Sequence, residues 1–331
     1  MQIYEKNIIR HPTFTIFLYI CTKIVKNMLE EKRIETNSMK AWLLAARPKT
    51  LSGAAVPVMI GVSLAYVDAK TYGDDVFSWV AAVLCLLFAF IMQIDANFIN
   101  DFFDFANGTD NNETRLGPRR ACAMGWVKLD SMKKAIAATT CLACIVGLPL
   151  VYWGGFEMIL IGLVCIVFCF LYTTHLSYMG LGDVLVLVFF GIVPVCITYY
   201  VQFHTVTWEV FLASVACGMV IDALLLVNNF RDRETDREAG KNTLVVNLGA
   251  KAGLQLYLGV GIGAMILGFT FFMNGHPLAF FLPFVYLIFH IYTYLKIKRI
   301  DKGKALNICL GDTARNIFIY GVCVSVGLLL V

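Results

Sequence analysis

Nine apolar windows of membrane-crossing length leave this chain few folds to adopt. They fall at roughly 51–69, 77–99, 133–153, 155–175, 180–200, 207–229, 252–273, 276–295 and 314–331. About 20 apolar residues in a helix cross a bilayer core, whereas a barrel needs short segments of alternating polarity. No such alternation is present in the sequence. A soluble domain of 331 residues could not hide a composition that is 59% hydrophobic and 15% charged. The expected class is all-α: a polytopic membrane protein with nine transmembrane helices.

Basic residues orient the spans. Lys40, Arg47 and Lys49 precede the first window, and Arg115, Arg119, Arg120, Lys128, Lys133 and Lys134 follow the second. Arg231, Arg233, Arg237, Lys241 and Lys251 follow the sixth, and Lys296, Lys298, Arg299, Lys302, Lys304 and Arg315 follow the eighth. The alternate connections hold only Lys70. Positive charge collects on the cytoplasmic side, so these four clusters read as cytoplasmic. The net charge of +4 reports topology and does not imply a nucleic-acid partner. Residues 1–38 read as an N-terminal extension ahead of a membrane domain at 39–331, with Met28 or Met39 as the natural start. The pair Cys141 and Cys144, inside an apolar window with no second pair, reads as packing rather than a metal or redox site.

A chain with so few charges gathers its acids in two places. Asn97–Asp110 reads N-F-I-N-D-F-F-D-F-A-N-G-T-D, and Asn228–Thr243 reads N-N-F-R-D-R-E-T-D-R-E-A-G-K-N-T. At about 100° per residue, Gln93, Asn97, Asn100, Asp101 and Asp104 share one stripe of an otherwise apolar helix. Such a stripe cannot face lipid, because a charge in the hydrocarbon costs about 3 kcal/mol or more. Gly108 allows a turn that returns Asp110 to the same mouth, and the loop Arg115–Arg120 brings guanidinium groups suited to phosphate or carboxylate. On the later helix Asn229, Asp232, Asp236 and Asp222 form a second stripe, which ends at Gly240. Carboxylates three or four residues apart can hold one hard cation, and Mg²⁺ completes its octahedron with water and substrate phosphate oxygens.

Neighbouring residues allow more than one reading. Lys241 suits a phosphate or a solvated positive-inside lysine, and Arg47 and Lys49 suit phosphate binding or a topology signal. Gly240-Lys241-x-Thr243 has the tail of a P-loop but lacks its earlier glycine and its strand. Asp95 lies opposite its own stripe and is expected to pair with another helix. Asp183 lies close to the same mouth, and Asp222 lies where a wet cavity could reach it. Acidic motifs on the second and sixth spans suggest two four-helix units with a ninth helix appended.

Together these residues resemble the UbiA superfamily of intramembrane aromatic prenyltransferases, from about Ala45 to the end of the chain. The nearest likeness is to the 1,4-dihydroxy-2-naphthoate polyprenyltransferase branch of menaquinone synthesis. It rests on Ala46-Arg47-Pro48-Lys49-Thr50-Leu51, Gln93-x-x-x-Asn97-x-x-Asn100-Asp101, Arg115-Leu116-Gly117-Pro118, Tyr199-Tyr200-Val201-Gln202, Asn228-Asn229-x-Arg231-Asp232 and Gly240-Lys241-Asn242-Thr243-Leu244. The resemblance implies a Mg²⁺-dependent enzyme of the bacterial inner membrane that acts at the cytoplasmic face. It would move a polyprenyl group from its diphosphate to the naphthoate with loss of carbon dioxide, giving demethylmenaquinone. It implies Asp101, Asp104, Asp232 and Asp236 as catalytic metal ligands, with Asp110 beside them. Asn97, Asn100 and Asn229 would orient them, Arg47, Lys49, Arg115 and Lys241 would hold diphosphate or the acceptor carboxylate, and Asn228 would join the substrate-binding residues. The alternatives are a relative prenylating 4-hydroxybenzoate or homogentisate, and an ion-coupled transporter. A transporter would keep its acids near the midplane at broken helices.

Overall fold

The computed structural model describes residues 34–72, 77–108, 115–176 and 179–330. Asp110 and most of the expected N-terminal extension lie outside the described residues. The described residues form helices and no strand. A short helix α1 (Met39–Ala46) leads into α2 (Leu51–Tyr72), followed by α3 (Trp79–Ala106) and α4 (Leu129–Gly154). Next come α5 (Glu157–Thr174), α6 (Gly182–Phe203) and α7 (Trp208–Glu238). Short α8 (Leu244–Leu248) precedes α9 (Ala250–Met273), α10 (Pro277–Ile300) and α11 (Asn307–Leu329).

Eight helices among the described residues are long and apolar enough to cross a bilayer, so this is a multi-pass membrane protein. The expected ninth span is present as the helix α11 but is not one of those eight. Asp312, Arg315 and Asn316 in its first half dilute its apolar character, and each finds a partner on α10. Asp312 pairs with Lys296 at 2.7 Å, Arg315 lies over the Phe289 ring, and Asn316 donates to the Thr293 hydroxyl at 3.0 Å. Beside them His290 stacks on Tyr257, whose hydroxyl meets Thr313 at 3.0 Å. These polar pairs tie α9, α10 and α11 together where apolar contact alone would not select a register.

The first and last of the long helices close the bundle, with α2 packed along α11. The most central helix is α7, which packs on α2, α6, α9 and α11. Its contact with α6 depends on an irregular turn. Pro194 cannot donate to the helical ladder, and Leu187–Ile192, ending two residues before it, widens into a π-helical turn. There Gly191 faces Gly218 so closely that a Cβ on Gly191 would stand 2.5 Å from the Gly218 Cα and 2.6 Å from the Ser214 carbonyl oxygen. Both obstacles are backbone and cannot rotate away. Gly191→Val is therefore expected to destabilise the bundle by about 3 kcal/mol. Gly259→Ala, where an added Cβ meets nothing within 4 Å, should be neutral or stabilising. Thermal unfolding of both variants in detergent checks the contrast.

Candidate active site

Helices α2 to α7 enclose an apolar cavity of about 560 Å³. Met158 and Tyr172 both line it and are fourteen residues apart on α5, so it runs about 21 Å along that helix. Polar side chains enter its wall mainly towards one end, from Gln93, Asn97 and Asn100 on α3, Asn228 on α7, and Thr50. The two acidic motifs therefore reach the same mouth, each on a helix that continues through it. Apolar windows stop at residues 99 and 229, but α3 runs to Ala106 and α7 to Glu238.

Partners explain how α3 keeps its acids in helix. Asn97 is 4% exposed and donates to the Ala46 carbonyl and the Thr50 hydroxyl, both at 3.0 Å. Asp101 has no exposed surface, and its two oxygens accept from the backbone amides of Ala121 and Cys122 at 2.9 and 3.1 Å. In this structure Asp101 anchors the loop after α3. Asp104, one turn on, keeps part of its side chain open and pairs with Arg120 at 2.7 Å. As expected, Asp95 serves another helix: it accepts from the hydroxyls of Thr139 and Thr140 on α4.

On α7, Arg231 is 4% exposed and holds Asp232 with a fork of two nitrogens. Its third nitrogen donates to Asn307 Oδ1 at 2.8 Å, and Asn307 donates in turn to the Leu116 carbonyl at 2.8 Å. Gly117 rests on the same guanidinium, where a Cβ would stand 2.8 Å from Nη2. The loop from the first motif thus lies on the second. Sequence reasoning gave Arg231 no such role and missed Asn307 altogether, since nothing local marks an asparagine at a helix start as a bridge. Asp236 faces Lys241 at 3.8 Å across the turn made by Gly240, whose φ is +71°. Asn228 lines the cavity; Asn229, a step of about 100° away, is buried at 5% exposure and does not. A further loop reaches this motif: a Cβ on Gly180 would stand 2.4 Å from the Asn242 carbonyl oxygen.

Cations ring the mouth. Arg47 ends α1 in the left-handed region with φ 50°, a conformation that costs a non-glycine residue about 1–2 kcal/mol. The strain places its guanidinium within electrostatic reach of Asp101, Asp104, Arg115 and Arg120. Its Nη2 is buried with no hydrogen-bond partner among the described residues. Arg115 folds back onto the Pro118 carbonyl at 2.7 Å, and Lys49 is exposed beside the mouth. No group of three or more metal-ligating side chains is preassembled among the described residues.

A multi-pass bundle with a tail-sized apolar cavity, capped by acids and by guanidinium groups, is the architecture of an enzyme that handles a lipid with an anionic head. Residues 55–320 match the UbiA prenyltransferase family, and the chain belongs to it. It is an aromatic prenyltransferase. The chain is 36% identical over 238 residues to the 1,4-dihydroxy-2-naphthoate octaprenyltransferase of Escherichia coli, covering 69% of this chain and 74% of that one. It is 35% identical over 234 residues to the Haemophilus influenzae enzyme of the same name, covering 68% and 74%. Its fold matches that of a UbiA homologue from Archaeoglobus fulgidus bound to GPP and Mg²⁺, with a TM-score of 0.59 and 14% identity over 86% of this chain and 99% of that one.

Proposed function

We propose that the protein transfers a polyprenyl group from its diphosphate to 1,4-dihydroxy-2-naphthoate, with decarboxylation, to give demethylmenaquinone. The observation that carries this reading is the convergence of both acidic helices on one end of a long apolar cavity. The names of the bacterial relatives support the acceptor, and the GPP and Mg²⁺ held by the archaeal fold relative support the donor and the metal.

The residues fit a divalent cation that shares its ligands with substrate. Asp104, Asp232 and Asp236 keep part of their side chains open, at 22, 27 and 16% exposure. Mg²⁺ prefers one or two carboxylates with phosphate oxygens completing the shell, so three divided acids suit it without a preformed cage. Asp104, Asp232 and Asp236 would hold the ions, with Asp110 as a further ligand and Asp101 fixing the loop that carries Arg120. When bound, Mg²⁺ supplies Lewis-acid neutralisation of the leaving diphosphate.

The protein's own groups do the rest. Arg47, Arg115 and Lys241 hold phosphate oxygens, and the buried Arg47 nitrogen gains the acceptor it lacks. Lys49 strengthens the cationic field at the rim. Asn100 and Asn228 orient the head where the cavity opens, and the apolar wall takes the isoprenoid tail and excludes water from the allylic carbon. The basic clusters around this mouth support its reading as the cytoplasmic side, and the bacterial relatives support a bacterial inner membrane. Membranes containing the protein, given Mg²⁺, a polyprenyl diphosphate and each acceptor in turn, should form product from the naphthoate and lose activity with a chelator. Product from 4-hydroxybenzoate alone would overturn the acceptor, and activity untouched by the chelator would overturn the metal.

A further inference from the structure

Behind the cavity wall lie two carboxylates that this reaction leaves unused. Asp183 opens α6 and Asp222 sits within α7; they are 8% and 7% exposed. In each, Oδ1 is buried and has no hydrogen-bond partner among the described residues. The two acids with no exposed surface are satisfied: both oxygens of Asp95 take threonine hydroxyls, and both of Asp101 take backbone amides. An open carboxylate oxygen inside a membrane bundle is costly, and such groups mark ligand sites.

The pair is connected to the cavity. Asp183 and Asp222 interact electrostatically across the seam between α6 and α7. Tyr172 lines the cavity, and its hydroxyl lies within electrostatic reach of both. That hydroxyl is 4.0 Å from where a Cβ would stand on Gly182, the residue before Asp183. Leu225, one turn beyond Asp222, meets the same point at 3.3 Å and also lines the cavity. Along α7, Asp222 lies about 9 Å deeper than Asn228 and about 15 Å deeper than Asp232. The chamber is therefore polarised, with guanidinium groups at the mouth and the Asp222 carboxyl about two to three turns below.

We infer that Asp183, Asp222 and the Tyr172 hydroxyl form a subsite that hydrogen-bonds the ring hydroxyl of the aromatic acceptor remote from its carboxylate. This rests on the acceptor class proposed above. The hydroxyl donates to an open carboxylate oxygen, while the acceptor's own carboxylate is drawn to the arginines at the mouth. The two attractions together select one orientation of the ring.

The full-length protein in membranes tests this through Asp183→Asn, Asp222→Asn and the double variant. The measured quantities are KM for 1,4-dihydroxy-2-naphthoate, for its 4-O-methyl ether, and for the prenyl diphosphate. Wild type should reject the ether by about 10- to 100-fold, as sites built for a hydroxyl do. The variants should raise the acceptor KM by a similar factor and lose the discrimination, with the diphosphate KM unchanged. Full discrimination in the variants overturns the inference, as does a KM change confined to the diphosphate. Should an Asp variant fail to accumulate, Tyr172→Phe keeps the ring and carries the same criterion. If wild type uses 4-hydroxybenzoate and not the naphthoate, the acceptor reading fails by itself. The comparison with 4-methoxybenzoate then judges the subsite.

Discussion

Asp104→Asn and Asp236→Asn are each expected to lower turnover by at least about 1,000-fold while the protein still inserts and folds. The size follows from what asparagine removes. It is nearly isosteric with aspartate but carries no charge, so it is a poor ligand for a hard cation and cannot offset a diphosphate. Folding should survive because both side chains sit at the rim, at 22 and 16% exposure, where water can serve the cations they face. Asp101→Asn should behave differently. Its amide would turn a donor towards one of two backbone N–H groups in a site with no exposed surface, so stability falls first. Single-turnover rates at saturating Mg²⁺ and diphosphate, with the amount of protein in the membrane, separate the two outcomes. Wild-type rates in Asp104→Asn and Asp236→Asn together would remove the metal site.

Much of this architecture is legible in the chain because the bilayer enforces a simple rule. Backbone groups must be satisfied within each segment, so apolar length reads directly as helix. The windows at 252–273 and 276–295 meet α9 and α10 closely, ending within five residues of them. Hydropathy fails where a helix turns polar, which is why α3 and α7 run past their windows into the motifs. It also misjudges α11, whose polar residues are paid for by partners on α10 that no local signal names. The helical stripes group Asn97, Asn100 and Asp104 on one face of α3. They could not separate Asp104, which stays open, from Asp101, which the loop amides take. That distinction depends on where Ala121 and Cys122 fold back, a long-range contact. The left-handed turn at Arg47 is equally invisible, since a strained arginine has no compositional mark.

The joint between the two motifs carries the second large effect. Arg231→Lys and Gly117→Val are each expected to reduce kcat/KM by about 10- to 100-fold, with a higher KM for the diphosphate. A lysine offers a point charge in place of a planar fork. It cannot hold both oxygens of Asp232 and still donate to Asn307, which now bonds Arg231 at 2.8 Å. A valine at position 117 would add bulk where even a Cβ would stand 2.8 Å from the guanidinium, lifting the Arg115–Arg120 loop off α7. Both changes disconnect the arginines of the first motif from the acids of the second, so the double variant should lose little more than the worse single one. Additive losses in that cycle would mean that Gly117 and Arg231 act independently. The loop would then not be what aligns the two half-sites on one diphosphate.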